Sequence, residues 1–119
     1  MSSERRYLGW IRDSLVRIAG ELAANPQGAL EDGLVRDGII WRLETLGEAT
    51  THLSTELKAR HPEIPWREIA GFRNIAAHGY LVIRPDRLRQ ILAEDLGPLR
   101  AVVEGEIASG SGGEGPASG

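Results

Sequence analysis

The sequence predicts an all-α protein, an antiparallel up-and-down bundle of four to five helices that forms a dimer. Four segments place apolar residues at intervals of three and four, the period of one helical face, and none sustains the alternation of a strand. Short connections between the segments favour antiparallel packing. A chain of this length builds only a modest core, so we expect a second copy to cover the remaining apolar surface.

The composition is that of an ordinary globular chain, with 41% hydrophobic and 26% charged residues. The absence of cysteine excludes disulfides and thiolate chemistry and fits a reducing compartment. No segment approaches the roughly 20 apolar residues of a membrane-spanning helix, so we expect no membrane contact and a cytoplasmic location.

We expect a folded domain at residues 1–104 and a flexible Gly/Ser-rich tail at residues 105–119. The folded part carries 14 basic and 15 acidic side chains, which makes it nearly neutral. Attraction to nucleic acid must therefore come from a local cluster of basic residues.

Two apolar stripes predict the first two helices. The first stripe comprises Leu8, Ile11, Leu15, Ile18 and Leu22. Its helix should end before Asn25-Pro26, because a residue that precedes proline is pushed out of the α region. The second stripe, in a helix predicted to begin near Leu30, comprises Ile39, Leu43, Leu46, Thr50, Leu53 and Leu57. His61-Pro62 is expected to close this long helix.

Two further helices are predicted in the second half of the chain. The third should begin near Pro65 and run to His78, with Gly79 as a left-handed cap. The fourth should follow Pro85, and the residues on its inner face are Leu88, Ile91, Leu92, Leu99 and Val102. Gly97-Pro98 should kink or split that helix.

The end of the third predicted helix gathers four chemically active side chains, those of Arg73, Asn74, His78 and Tyr80. Asn74 and His78 are four residues apart and share a face. Arg73 and His78 are separated by about 140° on an ideal helix, so they converge only because the helix ends there. The negative end of the helix dipole favours a charged histidine. Such a histidine beside an arginine suits a phosphate and can transfer protons.

Arg84, Arg87 and Arg89 form a basic run just past this motif, with only Asp86 against them. Such a run either lies on a solvated helix face or provides a local track for an RNA backbone.

Four other polar or aromatic residues are expected to be structural. Glu48 is interpreted as a surface carboxylate that could also point into the Arg73 cleft. His52 and His61 are interpreted as isolated, without metal ligands at suitable spacing, so neither a metal nor a cofactor is predicted. Trp66 is expected to pack the start of its helix.

The stretch Arg-Asn-Ile-Ala-Ala-His-Gly-Tyr at residues 73–80 resembles the signature of the HepT-like ribonucleases of the HEPN superfamily. The flanking sequences at residues 46–49, 61–66 and 94–99 agree with that family in order and spacing, and the resemblance covers residues 4–104. Leu81 and Arg84 depart from it, because the family tends to have an aromatic and an acidic residue near these positions.

The resemblance implies an all-helical homodimeric toxin that cleaves RNA without a metal. It implies a catalytic pair of Arg73 and His78, to which we add Asn74 as a residue that orients the phosphate or the histidine. It also implies a cognate MNT-type nucleotidyltransferase antitoxin that silences the enzyme by transferring AMP to Tyr80. RNA supplies its own 2′-hydroxyl nucleophile, so the site needs a base, an acid and positive charge.

Two alternatives to an enzyme remain open from the sequence. One is a non-catalytic helical dimerisation module that binds a nucleotide or a protein through the Arg73–His78 cleft. The other is a structural dimeric bundle in which the motif residues form hydrogen bonds at the interface.

Overall fold

The structure, a computed structural model, describes residues 2–74 and 85–110, apart from the side chains at positions 2, 85 and 87. This part is all-helical and contains no strand, as predicted. Its α-helices are α1 (Ser2–Ala24), α2 (Gly33–Thr50), α3 (Thr55–Ala59), α4 (Trp66–Ala70), α5 (Pro85–Glu94) and α6 (Leu96–Ala108). Two 3₁₀ helices, Ala29–Glu31 and Gly71–Asn74, precede α2 and follow α4.

Helices α1 and α2 pack against each other in antiparallel directions. The Trp10 indole N–H donates to the Thr45 hydroxyl at 3.2 Å, and the Arg42 guanidinium donates to the Ser14 hydroxyl at 3.3 Å. A later residue of α1 thus contacts an earlier residue of α2. The predicted antiparallel arrangement is confirmed for this pair.

The first helix ends where the sequence predicts. Helix α1 stops at Ala24, before Asn25-Pro26, and the apolar stripe from Leu8 to Ile18 is buried. The Asn25 side chain then accepts the Gly28 backbone N–H at 3.0 Å and stabilises the turn toward α2.

The predicted second helix is wrong in its length, because the structure divides it between α2 and α3. The Thr50 hydroxyl donates to the Gly47 carbonyl at 2.7 Å at the end of α2. The Ser54 side chain then accepts the Leu57 backbone N–H at 3.1 Å and caps α3. Leu53 and Leu57 are nevertheless buried. The stripe identified core residues, while side-chain hydroxyls set the helix ends.

The third predicted helix begins as a short α-helix and then tightens. Pro65 caps α4, which starts at Trp66 and passes directly into the 3₁₀ helix Gly71–Asn74. The predicted continuation to His78 and the Gly79 cap lie outside the described residues.

The fourth predicted helix is split, as one of the two expected outcomes. The break lies at Asp95, just before Gly97-Pro98, so that Pro98 stands in the first turn of α6. A proline is tolerated there because the first turn has backbone N–H groups without intrahelical partners.

Helix α6 continues past the domain boundary predicted at residue 104 and ends at Ala108. Glu106 is only 6% exposed, and its carboxylate accepts two hydrogen bonds from Arg60. The same carboxylate contacts the His61 ring. The predicted tail thus includes a residue that is buried in the fold, while residues 111–119 lie outside the described part.

Within the described residues, one apolar cluster fills the space between the helices. Its large and fully buried side chains are Leu8, Ile11, Ile18, Leu30, Ile40, Leu43, Leu46, Leu57, Ile69, Leu88, Leu99 and Val103. Among the helices of the described ranges, none combines the length and the apolar character needed to cross a bilayer.

Candidate functional site

The 3₁₀ helix Gly71–Asn74, the turn that carries Arg73, lies unusually close to α2 at Gly47. A Cβ atom added at Gly47 would stand 2.7 Å from the Ile69 carbonyl oxygen, 3.0 Å from the Arg73 backbone nitrogen and 3.1 Å from the Phe72 Cβ. Ile69 and Phe72 are buried and anchor this contact. Since real Cβ atoms essentially never approach so closely, only glycine fits here, and its small size brings Arg73 beside Glu48.

Arg73 is held at the surface by an ion pair with Glu48. The Arg73 Nη1 atom donates to the Glu48 Oε1 atom at 3.1 Å. The two side chains are 47% and 53% exposed, so a phosphate from solvent can reach the guanidinium. Asn74, the next residue, is also exposed.

Glu48 connects Arg73 to two aromatic rings. Its second carboxylate oxygen lies 3.3 Å from the His52 Nε2 atom. The His52 ring stacks on Tyr7 of α1, with centroids 4.4 Å apart and planes at 8°. The Arg73 hydrogen bond is the largest cause that lowers the pKa of Glu48; burial opposes it, and the His52 hydrogen bond lowers the pKa further. Glu48 is therefore ionised at neutral pH.

The interpretation of the two histidines as isolated is wrong. His52 contacts Glu48 across one helical turn, a spacing that is visible in the sequence. His61 contacts the buried Glu106 carboxylate and lies 3.8 Å from the Glu63 carboxylate. In residues 2–74 and 85–110, no group of three or more His, Cys, Asp or Glu side chains could hold a metal ion.

Trp66 packs the start of its helix, as expected. Its indole N–H donates to the Lys58 carbonyl at 3.2 Å and to the His61 carbonyl at 3.0 Å. Burial lowers the pKa of the Lys58 amine. These contacts give Trp66 a structural role in joining α3 to α4.

The remaining predicted site residues are described in part. His78, Tyr80 and Arg84 lie outside the described residues, so the convergence of Arg73 and His78 stays a prediction. The backbone of Arg87 belongs to α5, but its side chain is outside the described part. Arg89 is exposed and donates to Glu31 at 3.2 Å, which offsets part of its charge.

Gly47 is the site residue whose role the sequence did not reveal, whereas the expected alternative that Glu48 points toward Arg73 agrees with the structure. The sequence placed them in a segment that agrees with the family, but the Arg73–Glu48 contact joins positions 25 residues apart. No local spacing rule predicts such a contact.

Comparisons with known proteins agree with the family that the sequence resembles. A family model described as ribonuclease HepT-like matches residues 11–105. A Methanocaldococcus jannaschii protein named as a putative RNase is 32% identical over 75 residues, which cover 63% of this chain and 69% of the relative. A Thermococcus cleftensis protein named as a probable ribonuclease HepT is 36% identical over 66 residues, which cover 56% of this chain and 60% of the relative. No solved structure matches.

Proposed function

The chain belongs to the ribonuclease HepT-like family, and on this premise we propose that it is a metal-independent endoribonuclease that cleaves RNA through Arg73 and His78. The observation that carries the proposal is the exposed Arg73 guanidinium, presented on a turn that is fixed by close packing on Gly47. Family membership supports the ribonuclease activity, and the Arg-x4-His spacing supports the choice of residues.

In this proposal, the RNA supplies the nucleophile. A base removes the 2′-hydroxyl proton, the 2′-oxygen forms a bond to phosphorus, and the bond to the 5′-oxygen breaks as that oxygen takes a proton from an acid. His78 transfers these protons, Arg73 binds the phosphate and stabilises the charge of the transition state, and Asn74 orients the phosphate or the histidine. The products are a 2′,3′-cyclic phosphate and a 5′-hydroxyl.

A homodimer would complete the site. One protomer has a single His78, whereas base and acid act at the same time on opposite sides of the phosphorus. A two-fold axis beside the motif would bring two His78 and two Arg73 side chains to one cleft. Arg84, Arg87 and Arg89 would contact the RNA backbone beyond it.

We further propose that the enzyme acts as a toxin in the cytoplasm, where a cognate MNT-type nucleotidyltransferase antitoxin silences it. Transfer of AMP to the Tyr80 hydroxyl would add bulk and negative charge where the RNA phosphate must lie. Overexpression of the unmodified chain should then arrest growth, whereas the Arg73→Ala variant should not.

The direct test is cleavage of total RNA in EDTA by purified protein whose mass shows no added AMP. Wild type should cut, and both His78→Ala and Arg73→Ala should lose cleavage by at least about 100-fold, the usual scale for a proton-transfer or charge-stabilising group. Arg100→Ala is the matched control, because Arg100 is also an exposed arginine paired with a glutamate, Glu104, at 3.0 Å.

Undiminished cutting by His78→Ala would contradict the assignment. Absence of cutting by unmodified wild type would favour a non-catalytic module that binds a nucleotide or a protein.

A further inference from the structure

A surface groove runs between α1 and α2 and opens beside Glu48. Its volume is about 680 Å³, which lies within the usual range for small-ligand sites. Tyr7, Trp10 and Ala49 line it, and its exposed surface is mainly apolar. We propose that this groove binds a nucleobase of the RNA strand whose phosphate is held by Arg73. The inference rests on the proposed function, which supplies RNA as the ligand.

The two aromatic walls of the groove are held rigidly. Tyr7 is stacked on His52. Trp10 donates its indole N–H to Thr45 and packs edge-on against Trp41, with centroids 5.9 Å apart and planes at 86°. Fixed aromatic rings are the usual platforms on which proteins stack unpaired bases, because every base offers a flat π-face.

The charges around the groove suit a nucleotide. Asp13 and Glu48 also line it, but each carboxylate is already paired, with Arg12 at 3.5 Å and with Arg73 at 3.1 Å. Arg6 is exposed at the groove and has no ion-pair partner among residues 2–74 and 85–110. Arg6 thus offers a positive charge at the groove that no carboxylate of the described residues offsets, where the phosphates of a bound strand would need it.

The groove is continuous with the candidate site through Glu48. That side chain lines the groove and also holds the Arg73 guanidinium. A base in the groove would therefore belong to a nucleotide close to the bound phosphate. An apolar floor with a few polar groups at the rim is typical of a small-ligand site, which favours a nucleobase over a second protein chain.

Gly9 allows the groove to be blocked without disturbing the fold. It lines the groove, and a Cβ atom added there would meet nothing within 4 Å. Gly9→Leu should fill the groove and favour the helix. The matched control is Gly20→Leu, since Gly20 lies on the same helix, has equally open surroundings and does not line this groove.

The probe is a fluorescently labelled 2′-O-methyl oligoribonucleotide, which lacks the nucleophilic hydroxyl and so is bound without being cut. Anisotropy titration should show that Gly9→Leu weakens binding by about tenfold or more, the scale of one lost base stack, while Gly20→Leu binds like wild type. In cleavage assays, Gly9→Leu should raise KM and leave kcat unchanged.

Three results would overturn the inference: wild type that does not bind the probe, Gly9→Leu that binds it as well as wild type, or Gly9→Leu that converts a dimer to a monomer in sedimentation. The last result would assign the groove to a protein interface. The failure of the proposed function looks different, because wild type would then bind the probe through the groove without cutting RNA. An enzyme that cuts RNA, and whose KM is unchanged in Gly9→Leu, retains the proposed function and loses only the groove.

Discussion

At the scale of single residues, the Arg73 guanidinium is paired with the Glu48 carboxylate, and a phosphate that binds Arg73 would have to replace this ion pair. Ion pairs between exposed side chains contribute little net stability, about 0–1 kcal/mol. A phosphate can therefore replace the carboxylate, because a guanidinium binds two phosphate oxygens through two parallel hydrogen bonds. In the proposed mechanism, Glu48 would orient Arg73 before RNA binds and would not block it.

The pKa of Glu48 reports this ion pair. At pH values above 4.5, the ordinary pKa of this group, the Glu48 carboxyl is ionised and the ion pair contributes its full stabilisation. That stabilisation is lost as the pH falls through the lower pKa that Glu48 has in the folded protein. Arg73→Ala should raise the pKa of Glu48, because the largest cause of the lowering is removed. The measurement is an NMR titration of the side-chain carboxyl carbon. Arg100→Ala should leave the Glu48 titration unchanged, and an unchanged pKa in Arg73→Ala would contradict the pair.

The sequence predicts Arg73 as a site residue because its chemistry shows in the local Arg-x4-His spacing. It left the Glu48 contact as one of two alternatives, because that contact depends on how the segment after α4 packs across α2. By contrast, the pair of His52 with Glu48 one turn before it is local, and the interpretation of His52 as isolated overlooks that spacing. Sequence spacing can predict pairs within one helix, whereas pairs between elements depend on how those elements pack against each other.

At the scale of elements, Gly47 determines how the turn with Arg73 packs on α2. The backbone atoms of Ile69 and Arg73 occupy the space that any side chain at position 47 would need. Because these are backbone atoms, they cannot move aside as the end of a flexible side chain could. The distance between the turn and α2 is thus set by the absence of a single Cβ.

Gly47→Ala should therefore lower the free energy of unfolding by about 1–3 kcal/mol, the usual cost of forcing an extra carbon into a packed interface. It should also displace Arg73 from Glu48 and reduce RNA cleavage. Gly38→Ala is the control on the same helix, because a Cβ there meets nothing within 4 Å, and it should be neutral or stabilising by up to about 1 kcal/mol. Urea unfolding measures both, and equal stability of the two variants would contradict the close packing.

The positions of the helices followed from the sequence more accurately than their ends did. Apolar spacing predicted α1 and the buried residues of α2 and α3, because burial of one face follows the helical period. The interruption after Thr50 was missed, because it depends on hydroxyl groups that bond to the backbone in competition with the helix.

At the scale of the whole molecule, a buried carboxylate ties the C-terminal end of the fold to its middle. Glu106 of α6 accepts hydrogen bonds from Arg60 at 2.8 and 3.3 Å and contacts His61, next to the segment that leads into α4. A carboxylate is buried only where charged partners compensate for lost hydration. The glycine-rich composition of residues 105–119 concealed this contact from sequence reasoning.

Glu106→Gln should lower the free energy of unfolding by about 1.5–3 kcal/mol, the range for hydrogen bonds to a charged group. Glu104→Gln is the matched control on the same helix, because Glu104 is exposed and pairs with Arg100 one turn away, and it should change stability by no more than about 0.5 kcal/mol. Thermal unfolding of both variants tests the difference, and a cost for Glu104→Gln equal to that of Glu106→Gln would contradict it.

At the same scale, we propose that the molecule cleaves RNA by directing the substrate's own 2′-hydroxyl, without a metal. The most direct measurement compares an RNA oligonucleotide that is cut at one mapped position with the same oligonucleotide carrying a 2′-deoxy nucleotide on the 5′ side of that bond, both in EDTA. We expect the all-RNA substrate to yield a 2′,3′-cyclic phosphate and the substituted one to remain intact. Cleavage of the substituted oligonucleotide, or products with a free 3′-hydroxyl, would contradict the account.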